Sequence, residues 1–359
     1  MTQQFNIAVF DGDGIGPEIT VPTLRLLDRV AQGRGYSLAF ETLPAGAQCY
    51  ADTGHALPPA SLERARAADA ILLSAMGLPH IRYQDGTEIV PQIDLRIELE
   101  LYAGVRPVRI VPGQPSPLKI SETEAIDFVL VRESTEGLFF TKGAGEVTET
   151  EARETMRITR ATSEKLFEFS FRLAAQRKQS GLGPGRVTCV DKANVFRAFA
   201  FFRKIFDEVA SKHPDIETDY GYVDAVALWM VDQPQRFDVM VTENMFGDIL
   251  SDLGAGLMGG LGLAPSADIG DDHAVFQPCH GTAPDIAGKG FANPIAMILS
   301  GAMMLDWLGQ NHGNAEMIED AARLQAAVDR VVAEGTVLTR DLGGEAGTAD
   351  IALAVEAAL

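Results

Sequence analysis

The sequence predicts an α/β protein with helices on both faces of a sheet. Strand-like and helix-like segments alternate along most of its 359 residues, and this alternation is typical of such folds. Several apolar runs are short and almost uninterrupted, which indicates strands buried on both faces. The length fits two domains or one large α/β unit, and a hydrophobic content of 46% is enough for a sizeable core.

Each predicted element follows from its residue pattern. Strands are predicted where short apolar or alternating runs stand between turn residues, at 6–10, 37–43, 70–75, 128–131, 187–190 and 238–241. Helices are predicted where apolar residues recur at helical spacing, at 18–31, 89–101, 196–209, 226–231 and 295–308. A further helix is expected to begin near Asn244 or Met245.

Two regions break the alternation. The polar segment 143–157 has threonines spaced as in an exposed strand, which predicts either an arm that pairs with another subunit or a surface hairpin. The segment 254–270 is rich in glycine and is expected to be a linker or a close-packed turn. It is a natural place for the chain to cross between domains.

The composition excludes several classes of partner. The 50 acidic residues outnumber the 30 basic ones, for a formal net charge of −20, so the chain should repel nucleic acid and anionic membranes. Its apolar stretches are too short to span a membrane, and its first residues resemble a strand rather than a signal peptide. Cys49, Cys189 and Cys279 are far apart in the sequence and form no CxxC, so neither a disulfide framework nor a zinc site is indicated. This cysteine usage fits a protein of the reducing cytoplasm.

Asp248 and Asp252 are candidate metal ligands. They are four residues apart on the predicted helix after 238–241, so they share one helical face and repel each other. A divalent cation would reverse that repulsion, and hard carboxylate oxygens suit Mg²⁺ or Mn²⁺ better than zinc. The alternative is a pair of solvated aspartates, which the apolar, glycine-rich surroundings disfavour.

Asp224 and Lys192 are candidates with two interpretations each. Asp224 precedes the apolar helix 226–231 and would either cap it or supply a third metal carboxylate. Lys192 follows a buried strand, at the end where α/β sheets bind ligands, and is suited to proton transfer there. The alternative is a surface lysine that pairs with Asp191.

Arg96, Arg106 and Arg132 lie at predicted strand and helix ends. A forked guanidinium group can bind a carboxylate through two parallel hydrogen bonds. Each arginine alone is explained by a surface ion pair. As a set, the three arginines indicate a substrate with two or three carboxylates.

Seven motifs together resemble the metal-dependent β-decarboxylating dehydrogenases, the isocitrate/isopropylmalate dehydrogenase family. They are GDGIGPE at 12–18, LRIELELYAGVRP at 95–107, RESTEG at 132–137, VDKANV at 190–195, YVDA at 222–225, TENMFGDILSD at 242–252 and HGTAPDIAGKGFANP at 280–294. They occur in the family order and cover nearly the whole chain. Among the members, the chain is most similar in type to 3-isopropylmalate and tartrate/D-malate dehydrogenases.

The resemblance implies a two-domain α/β fold that is not a Rossmann fold. The cofactor-binding domain would comprise 1–101 plus 259–359. The dimerisation and metal/substrate domain would comprise 102–258. The enzyme is expected to be a cytoplasmic homodimer that binds neither nucleic acid nor membrane.

The resemblance also implies a reaction and a set of roles. A 3-substituted R-malate would be oxidised at its C2 hydroxyl by hydride transfer to a nicotinamide and would then lose CO₂, with the help of a divalent cation. By match to the motifs, the arginines Arg96, Arg106 and Arg132 hold the substrate carboxylates, and Asp248 and Asp252 bind Mg²⁺ or Mn²⁺. The partner subunit would contribute Asp224 to the metal and Lys192 as proton acceptor, with Asn194 beside it. A monomer should therefore be inactive.

The motif at 280–294 resembles the loop that wraps the adenosine of the cofactor. The positions implied in cofactor binding are Ile15, near the nicotinamide ring, and His280, Gly281, Thr282, Ala283, Asp285, Ile286 and Asn293. A carboxylate at Asp285 would bind the ribose hydroxyls and repel a 2′-phosphate, which favours NAD over NADP. NADP-using members carry Lys-Tyr in place of Asp285-Ile286. The glycines at 12–16 do not match GxGxxG, so they predict a tight turn before a helix rather than a phosphate cradle.

Phe139 departs from the family, which has a tyrosine at this position as the acid for the enol. The loss of a general acid typically costs roughly 10²–10⁴ in the rate of its step. Three interpretations are open: water protonates the enol, another residue replaces the tyrosine, or the enzyme oxidises without efficient decarboxylation.

The substrate itself is not determined by the sequence. Gln92 and Ile93, before Arg96, match neither the isopropylmalate nor the isocitrate pattern, and His80 and Arg82 would meet a second carboxylate or lie in a surface loop. Tartrate, D-malate, isocitrate and homoisocitrate stay as alternatives to 3-isopropylmalate. A metabolite sensor with weakened catalysis is a different class of function, which only Phe139 favours, and a non-redox lyase is opposed by HGTAPD.

Overall fold

The computed structural model describes residues 2–119, 124–141 and 143–359, and the alternation of strands and helices is confirmed there. The strands are β1 (Gln3–Phe10), β2 (Tyr36–Thr42), β3 (Ala70–Leu73), β4 (Ala103–Ile110), β5 (Ile126–Glu133), β6 (Glu146–Val147), β7 (Ala152–Arg153), β8 (Arg186–Asp191), β9 (Glu217–Tyr222), β10 (Val239–Thr242), β11 (Pro265–Ile269) and β12 (Ala274–Pro278). The helices are α1 (Gly16–Ala31), α2 (Ala47–Thr53), α3 (Pro59–Ala67), α4 (Pro91–Glu98), α5 (Arg160–Gln179), α6 (Arg197–Ala210), α7 (Val223–Asp232), α8 (Asn244–Leu257), α9 (Ile295–His312), α10 (Ala315–Glu334) and α11 (Thr348–Ala358).

Within the described ranges, ten of these strands form one sheet in the order β2-β1-β3-β12-β11-β4-β5-β10-β8-β9. Strands β1, β2, β3 and β12 are parallel to one another, and so are β5, β8, β9 and β10. Between these groups, β11 and β4 pair antiparallel with each other and with their outer neighbours. This antiparallel centre distinguishes the sheet from the parallel sheet of a Rossmann fold, as predicted.

The β4–β11 pair joins two halves of the sheet that come from different parts of the sequence. Strands β1, β2, β3, β11 and β12 lie within 1–101 and 259–359, and the other five lie within 102–258. This order agrees with a chain that crosses twice between two units. The assignment of a cofactor domain and a dimerisation domain to these ranges stays a prediction.

Helices cover both faces of the sheet. Helices α1, α5, α6, α9, α10 and α11 contribute to the core on one face, and α3, α4, α7 and α8 contribute to the cores on the other. In β5, Val129 and Val131 pack on the first face and Phe128 and Leu130 on the second, because successive strand residues alternate in direction. None of the helices in the described part of the chain has the length and hydropathy of a membrane span.

For the segment 254–270, the expectation of a linker is wrong, and a close-packed turn describes only the part between α8 and β11. It contains the end of α8, a 3₁₀ turn at Leu261–Leu263 and the strand β11, whose five residues are all buried. Antiparallel bonds to β12 and β4 hold β11 on both sides. The strand therefore depends on partners distant in sequence, and its own small residues give little sign of it.

Two smaller predictions are refined. The segment 143–157 contains a short hairpin of β6 and β7 with exposed residues, in agreement with a surface hairpin, while its pairing with another subunit stays a prediction. Helix α7 begins at Val223 with Tyr222 as its N-cap, so Asp224 lies in the first turn and is not the cap. A carboxylate there interacts favourably with the helix dipole.

Candidate active site

The three arginines predicted to bind substrate carboxylates form one cluster. Arg96 comes from α4, Arg106 from β4 and Arg132 from β5. Arg96 Nε donates a hydrogen bond to Asp268 Oδ2 at 3.0 Å, and Arg106 Nη2 donates to Asp268 Oδ1 at 3.1 Å. Burial, together with the charge of Arg96, lowers the pKa of Arg132 to about 10. The elements of both halves of the sheet thus bring these guanidinium groups together.

Asp268, on β11, holds this cluster together although no sequence motif indicated it. Its carboxylate is buried and also accepts hydrogen bonds from Ser134 Oγ at 3.2 Å and Gln277 Nε2 at 2.8 Å. Burial alone would raise the pKa of Asp268, but Arg106 and Arg96 hold it at about 2. Asp268 is therefore ionised at any ordinary pH. The only sequence signal is an acidic residue within a run of small residues, PSADIG.

Arg132 connects the arginine cluster to helix α8. Its Nε donates to Asn244 Oδ1 at 2.9 Å, and its Nη1 forms an ion pair with Asp248. Gly247 allows this close packing, because a Cβ there would lie 2.6 Å from the Cβ of Arg132. The centroid of the Phe139 ring lies 5.2 Å from Arg132 Cζ. The altered family position is therefore beside the arginine cluster.

The predicted metal ligands lie on helix α8. Glu243 fixes the start of the helix by accepting hydrogen bonds from the N–H groups of Met245 at 3.1 Å and Phe246 at 2.8 Å. The Asp248 side chain is half exposed. Asp252 makes no hydrogen bond or ion pair with any residue that the structure describes, and burial together with the charge of Asp248 raises its pKa. Two crowded carboxylates with free oxygens fit a hard divalent cation.

One described chain does not complete a metal site by itself. Among residues 2–119, 124–141 and 143–359, no group of three or more His, Cys, Asp or Glu side chains is arranged to hold a metal ion. Asp248 and Asp252 therefore need further ligands from another source, such as substrate, water or a second chain.

Lys192, directly after β8, and Asp224, in the first turn of α7, form a second group, and Asn194 follows Lys192 by two residues in the sequence. Lys192 forms an ion pair with Asp224, and its hydrogen bond lowers the pKa of that carboxyl. The alternative, in which Lys192 pairs with Asp191, is wrong. The buried Asp191 carboxylate instead accepts two hydrogen bonds from Arg203, each at 2.7 Å. Asn194 is exposed. In the described part of the chain, no hydrogen bond or ion pair joins this group to the arginine cluster.

Large apolar side chains are exposed beside both groups. Helices α7 and α8, which carry Asp224 and the two predicted metal ligands, lie next to each other. The exposed apolar residues on these helices and after β8 are Val195, Phe196, Leu228, Val231 and Ile249, and each has at least half of its surface accessible. Large apolar side chains that are exposed on neighbouring helices are typical of interaction surfaces.

Two loops meet at the carboxyl ends of β1 and β12. The Ile15 N–H donates to the carbonyl oxygen of Thr282 at 2.9 Å, and Thr282 Oγ1 donates to the carbonyl oxygen of Gly77 at 2.7 Å. Gly14 has a φ of +59°, and a Cβ there would lie 2.1 Å from the Thr282 oxygen. The glycine loop that precedes α1 is thus built against the predicted adenosine loop.

Two acidic residues of the first motif organise this region, although the sequence indicated no role for them. The buried Asp13 carboxylate accepts hydrogen bonds from the N–H groups of Ala47 at 2.7 Å and Gly77 at 2.8 Å. Glu18 accepts from two N–H groups within 288–292, each at 3.0 Å. Hydrogen bonds to the motif GDGIGPE therefore hold the segments at Ala47, at Gly77 and at 288–292 next to it.

The predicted adenosine loop presents polar groups suited to a ligand. His280 Nδ1 lies 2.9 Å from the carbonyl oxygen of Gly281, while its buried Nε2 has no partner among the described residues. Burial lowers the pKa of His280, so Nε2 is a free acceptor at neutral pH. Asp285 is exposed, and Ala283 has a φ of +37°, a strained conformation that is common at ligand sites. An unpaired acceptor and an exposed carboxylate on the same loop fit a nucleotide ribose or base.

Asn293 is bound within the chain. Its Oδ1 accepts from the Ile295 N–H at 3.0 Å, and its Nδ2 donates to Asp341 Oδ2 at 3.0 Å. These bonds fix the start of α9 beside the loop. A contact between Asn293 and adenine stays a prediction.

Comparison with known proteins agrees with this geometry. The sequence model of the isocitrate/isopropylmalate dehydrogenase family matches residues 6–355. The chain belongs to this family. Membership confirms the family, the fold class and the enzyme class, a dehydrogenase, that the sequence predicts.

Relatives within the isocitrate/isopropylmalate dehydrogenase family are similar over nearly their full length. The 3-isopropylmalate/3-methylmalate dehydrogenase of Methanocaldococcus jannaschii is 42% identical, over 96% of each chain. The 3-isopropylmalate dehydrogenase of Streptococcus thermophilus is 42% identical, over 97% of this chain and 98% of its own. The structure of isocitrate dehydrogenase from Methylococcus capsulatus is similar with a TM-score of 0.85 and 37% identity, over 99% of each chain.

Proposed function

We propose that the chain is an NAD- and divalent-metal-dependent dehydrogenase that oxidises and decarboxylates a 3-substituted R-malate, with 3-isopropylmalate as the first candidate. The observation that carries this proposal is the ion pair between Arg132 and Asp248, which joins the arginine cluster to the candidate metal ligands. The names of the two relatives above support an alkyl-substituted malate.

The arginine cluster would bind and orient the substrate. Its three guanidinium groups are largely buried, so their charges are screened little by water and attract carboxylates strongly. A bidentate arginine contact fixes the plane as well as the position of a carboxylate. This orientation would present the C2 hydrogen of the substrate in one direction only, which favours a single stereoisomer.

Asp248 and Asp252 would hold Mg²⁺ or Mn²⁺ together with Asp224 of a second chain. When bound, the cation would polarise the C2 oxygen and stabilise negative charge on it. Asp248 would exchange its ion pair with Arg132 for the cation, which would leave Arg132 free for the substrate. Its half-exposed position is suited to such an exchange.

We further propose that the active site is shared in a homodimer. Lys192 would accept the hydroxyl proton at its Nζ, with Asp224 and Asn194 beside it, across from the arginine cluster of the other chain. This arrangement is supported by the absence of any hydrogen bond or ion pair between the two polar groups within the described part of one chain. The exposed apolar residues on α7 and α8 support burial of this face against a second copy.

The loop at 280–286, with Ile15 and Asn293, would bind NAD, which takes the hydride when bound. The exposed Asp285 would accept hydrogen bonds from the ribose hydroxyls and disfavour a 2′-phosphate. We also propose a cytoplasmic enzyme, because its three cysteines are free.

The test is a panel of R-malates assayed with NAD⁺ and Mn²⁺, in which NADH and CO₂ are recorded separately. The panel contains 3-isopropyl-, 3-methyl- and unsubstituted R-malate, tartrate, isocitrate and homoisocitrate. We expect the highest kcat/KM with an alkyl-substituted malate. If tartrate, D-malate or a tricarboxylate gives the highest activity, that compound replaces 3-isopropylmalate as the proposed substrate. If no compound yields NADH, the result favours the metabolite-sensor alternative that Phe139 suggests.

A further inference from the structure

Asp268 lies between two of the three arginines that the proposed function assigns to the substrate. Its Oδ2 accepts from Arg96 Nε at 3.0 Å and its Oδ1 from Arg106 Nη2 at 3.1 Å. We propose that Asp268 is a positioning residue, which sets the orientation of Arg96 and Arg106 and thereby the affinity and stereochemistry of carboxylate binding. This inference rests on the proposed function.

Asp268 cannot itself be a substrate ligand in this geometry. Its side chain is only 1% exposed, and each carboxylate oxygen accepts two hydrogen bonds. Oδ1 is shared by Arg106 and Ser134, and Oδ2 by Arg96 and Gln277. A carboxylate with all of its acceptor positions filled acts through the groups that it holds.

The bonds to Asp268 determine which arginine donors are left for a ligand. Arg96 uses Nε on Asp268, so both of its Nη groups are without a partner among the described residues and match a bidentate carboxylate contact. Arg106 uses Nη1 on the carbonyl oxygens of Val105 and Ala267 and Nη2 on Asp268. Arg106 is therefore fixed, and Arg96 is anchored at one edge with its other edge free.

The negative charge of Asp268 also offsets part of the positive charge of the arginine cluster. The guanidinium groups of Arg96, Arg106 and Arg132 are largely buried in one cluster, where like charges repel each other more strongly than in water. Removal of the Asp268 charge would make the cluster more positive and would release Arg96 and Arg106 from their orientation. The first effect strengthens the attraction of any anion, whereas the second weakens recognition of a shaped dicarboxylate.

These opposite effects allow a test with the variant Asp268→Asn. The probes are R-malate and inorganic sulfate, each titrated into the purified full chain by calorimetry in the presence of Mn²⁺. If Asp268 orients the arginines, the Kd for R-malate should rise at least about tenfold, while the Kd for sulfate stays the same or falls. An unchanged Kd for R-malate, or an equal loss for both anions, would overturn the positioning role.

Two further variants separate positioning from folding. Asp320→Asn is the matched control, because Asp320 is another fully buried carboxylate that binds an arginine, Arg34, and lies on α10 outside the site; it should lower the melting temperature without changing the Kd for R-malate. In Asp268→Asn/Gln277→Glu, the carboxylate and the amide exchange places across the 2.8 Å bond. This double variant keeps the buried charge and the bond between the two positions but takes the carboxylate away from Arg96 and Arg106, which Gln277 does not contact in the described chain. It should therefore not recover the lost affinity for R-malate, and full recovery would contradict the positioning role.

The binding readout keeps the two proposals distinct. If wild type binds R-malate but forms no NADH with any compound of the panel, the proposed function fails and the effect of Asp268→Asn on binding still decides the positioning role. If turnover is found and Asp268→Asn leaves both Kd and KM unchanged, only the positioning role fails.

Discussion

Gly14 and Thr282 are in direct backbone contact, and no side chain fits between them. A Cβ added at Gly14 would lie 2.1 Å from the carbonyl oxygen of Thr282, and the same oxygen accepts the Ile15 N–H at 2.9 Å. The loop before α1 and the loop after β12 are therefore one unit. A change in the first loop should be transmitted to the second, where we propose that the adenosine binds.

The first prediction is that Gly14→Ala weakens NAD⁺ binding. The added methyl group would push the Thr282 backbone away, so we expect the KM for NAD⁺ to rise by about tenfold or more, a loss of roughly 1.4 kcal/mol of binding energy. Gly33→Ala is the matched control, because Gly33 also has a positive φ but has no atom near its Cβ position. It should cost only about 1–2 kcal/mol of stability for the left-handed backbone. Equal KM values for the two variants would show that the loops are not coupled.

The second prediction concerns the choice between NAD and NADP. Asp285 is exposed and Ile286 partly so, so the double variant Asp285→Lys/Ile286→Tyr should fold normally. Replacing a negative by a positive charge would attract the 2′-phosphate, and we expect the ratio of kcat/KM for NADP⁺ to that for NAD⁺ to rise by at least about tenfold, or roughly 1.4 kcal/mol. Asp285→Asn, which only removes the charge, should give a smaller rise. If neither variant changes the ratio, Asp285 is not at the ribose.

The third prediction concerns Phe139, which lies beside Arg132. Phe139→Tyr would return a proton donor to the position where the family has one, and a general acid contributes roughly 10²–10⁴ to its step. We expect either a higher kcat or a higher ratio of CO₂ released to NADH formed. Phe140→Tyr adds the same hydroxyl one residue away, on a ring that is exposed and stacked on Arg157. It should change neither quantity, and the same null result for Phe139→Tyr would mean that this position is not used in the chemistry.

Some strands and helices could be predicted from the residue pattern of their own segment alone. The strands β3, β5, β8 and β10 are short apolar runs, and they are central because both of their faces are buried. The strand that ends at Thr242 predicts a helix that begins near Asn244 or Met245, and α8 begins at Asn244 with Glu243 as its N-cap. The carboxylates Asp248 and Asp252 follow from that start by helical spacing alone.

Contacts between distant segments could not be predicted in the same way. Arg96 and Asp268 are 172 residues apart, and β11 is a strand only because β4 and β12 flank it. Its small residues resemble a glycine-rich linker when the chain is considered segment by segment. The missing information is tertiary: strand pairing places Asp268 next to Gly104 on β4, two residues from Arg106, and no local periodicity encodes that register.

The fourth prediction tests whether the active site is shared between two chains. Lys192→Met and Asp252→Asn remove a residue from each polar group, and each homodimer should lose at least about 10²-fold in kcat because a proton acceptor or a metal ligand is absent from both of its sites. In a mixed dimer of the two variants, one site would combine the intact Asp252 of one chain with the intact Lys192 of the other.

Unfolding and refolding an equal mixture of Lys192→Met and Asp252→Asn chains should therefore recover activity. Random pairing makes half of the dimers mixed, each with one complete site, so the expected recovery is about a quarter of the wild-type rate. Refolded wild type gives the reference rate, and two different affinity tags show that mixed dimers have formed. If mixed dimers are present and remain inactive, Lys192 and the Asp252 carboxylate must act within the same chain. The ion pair between Lys192 and Asp224 would then be a surface contact, and the apolar face on α7 and α8 would need another explanation.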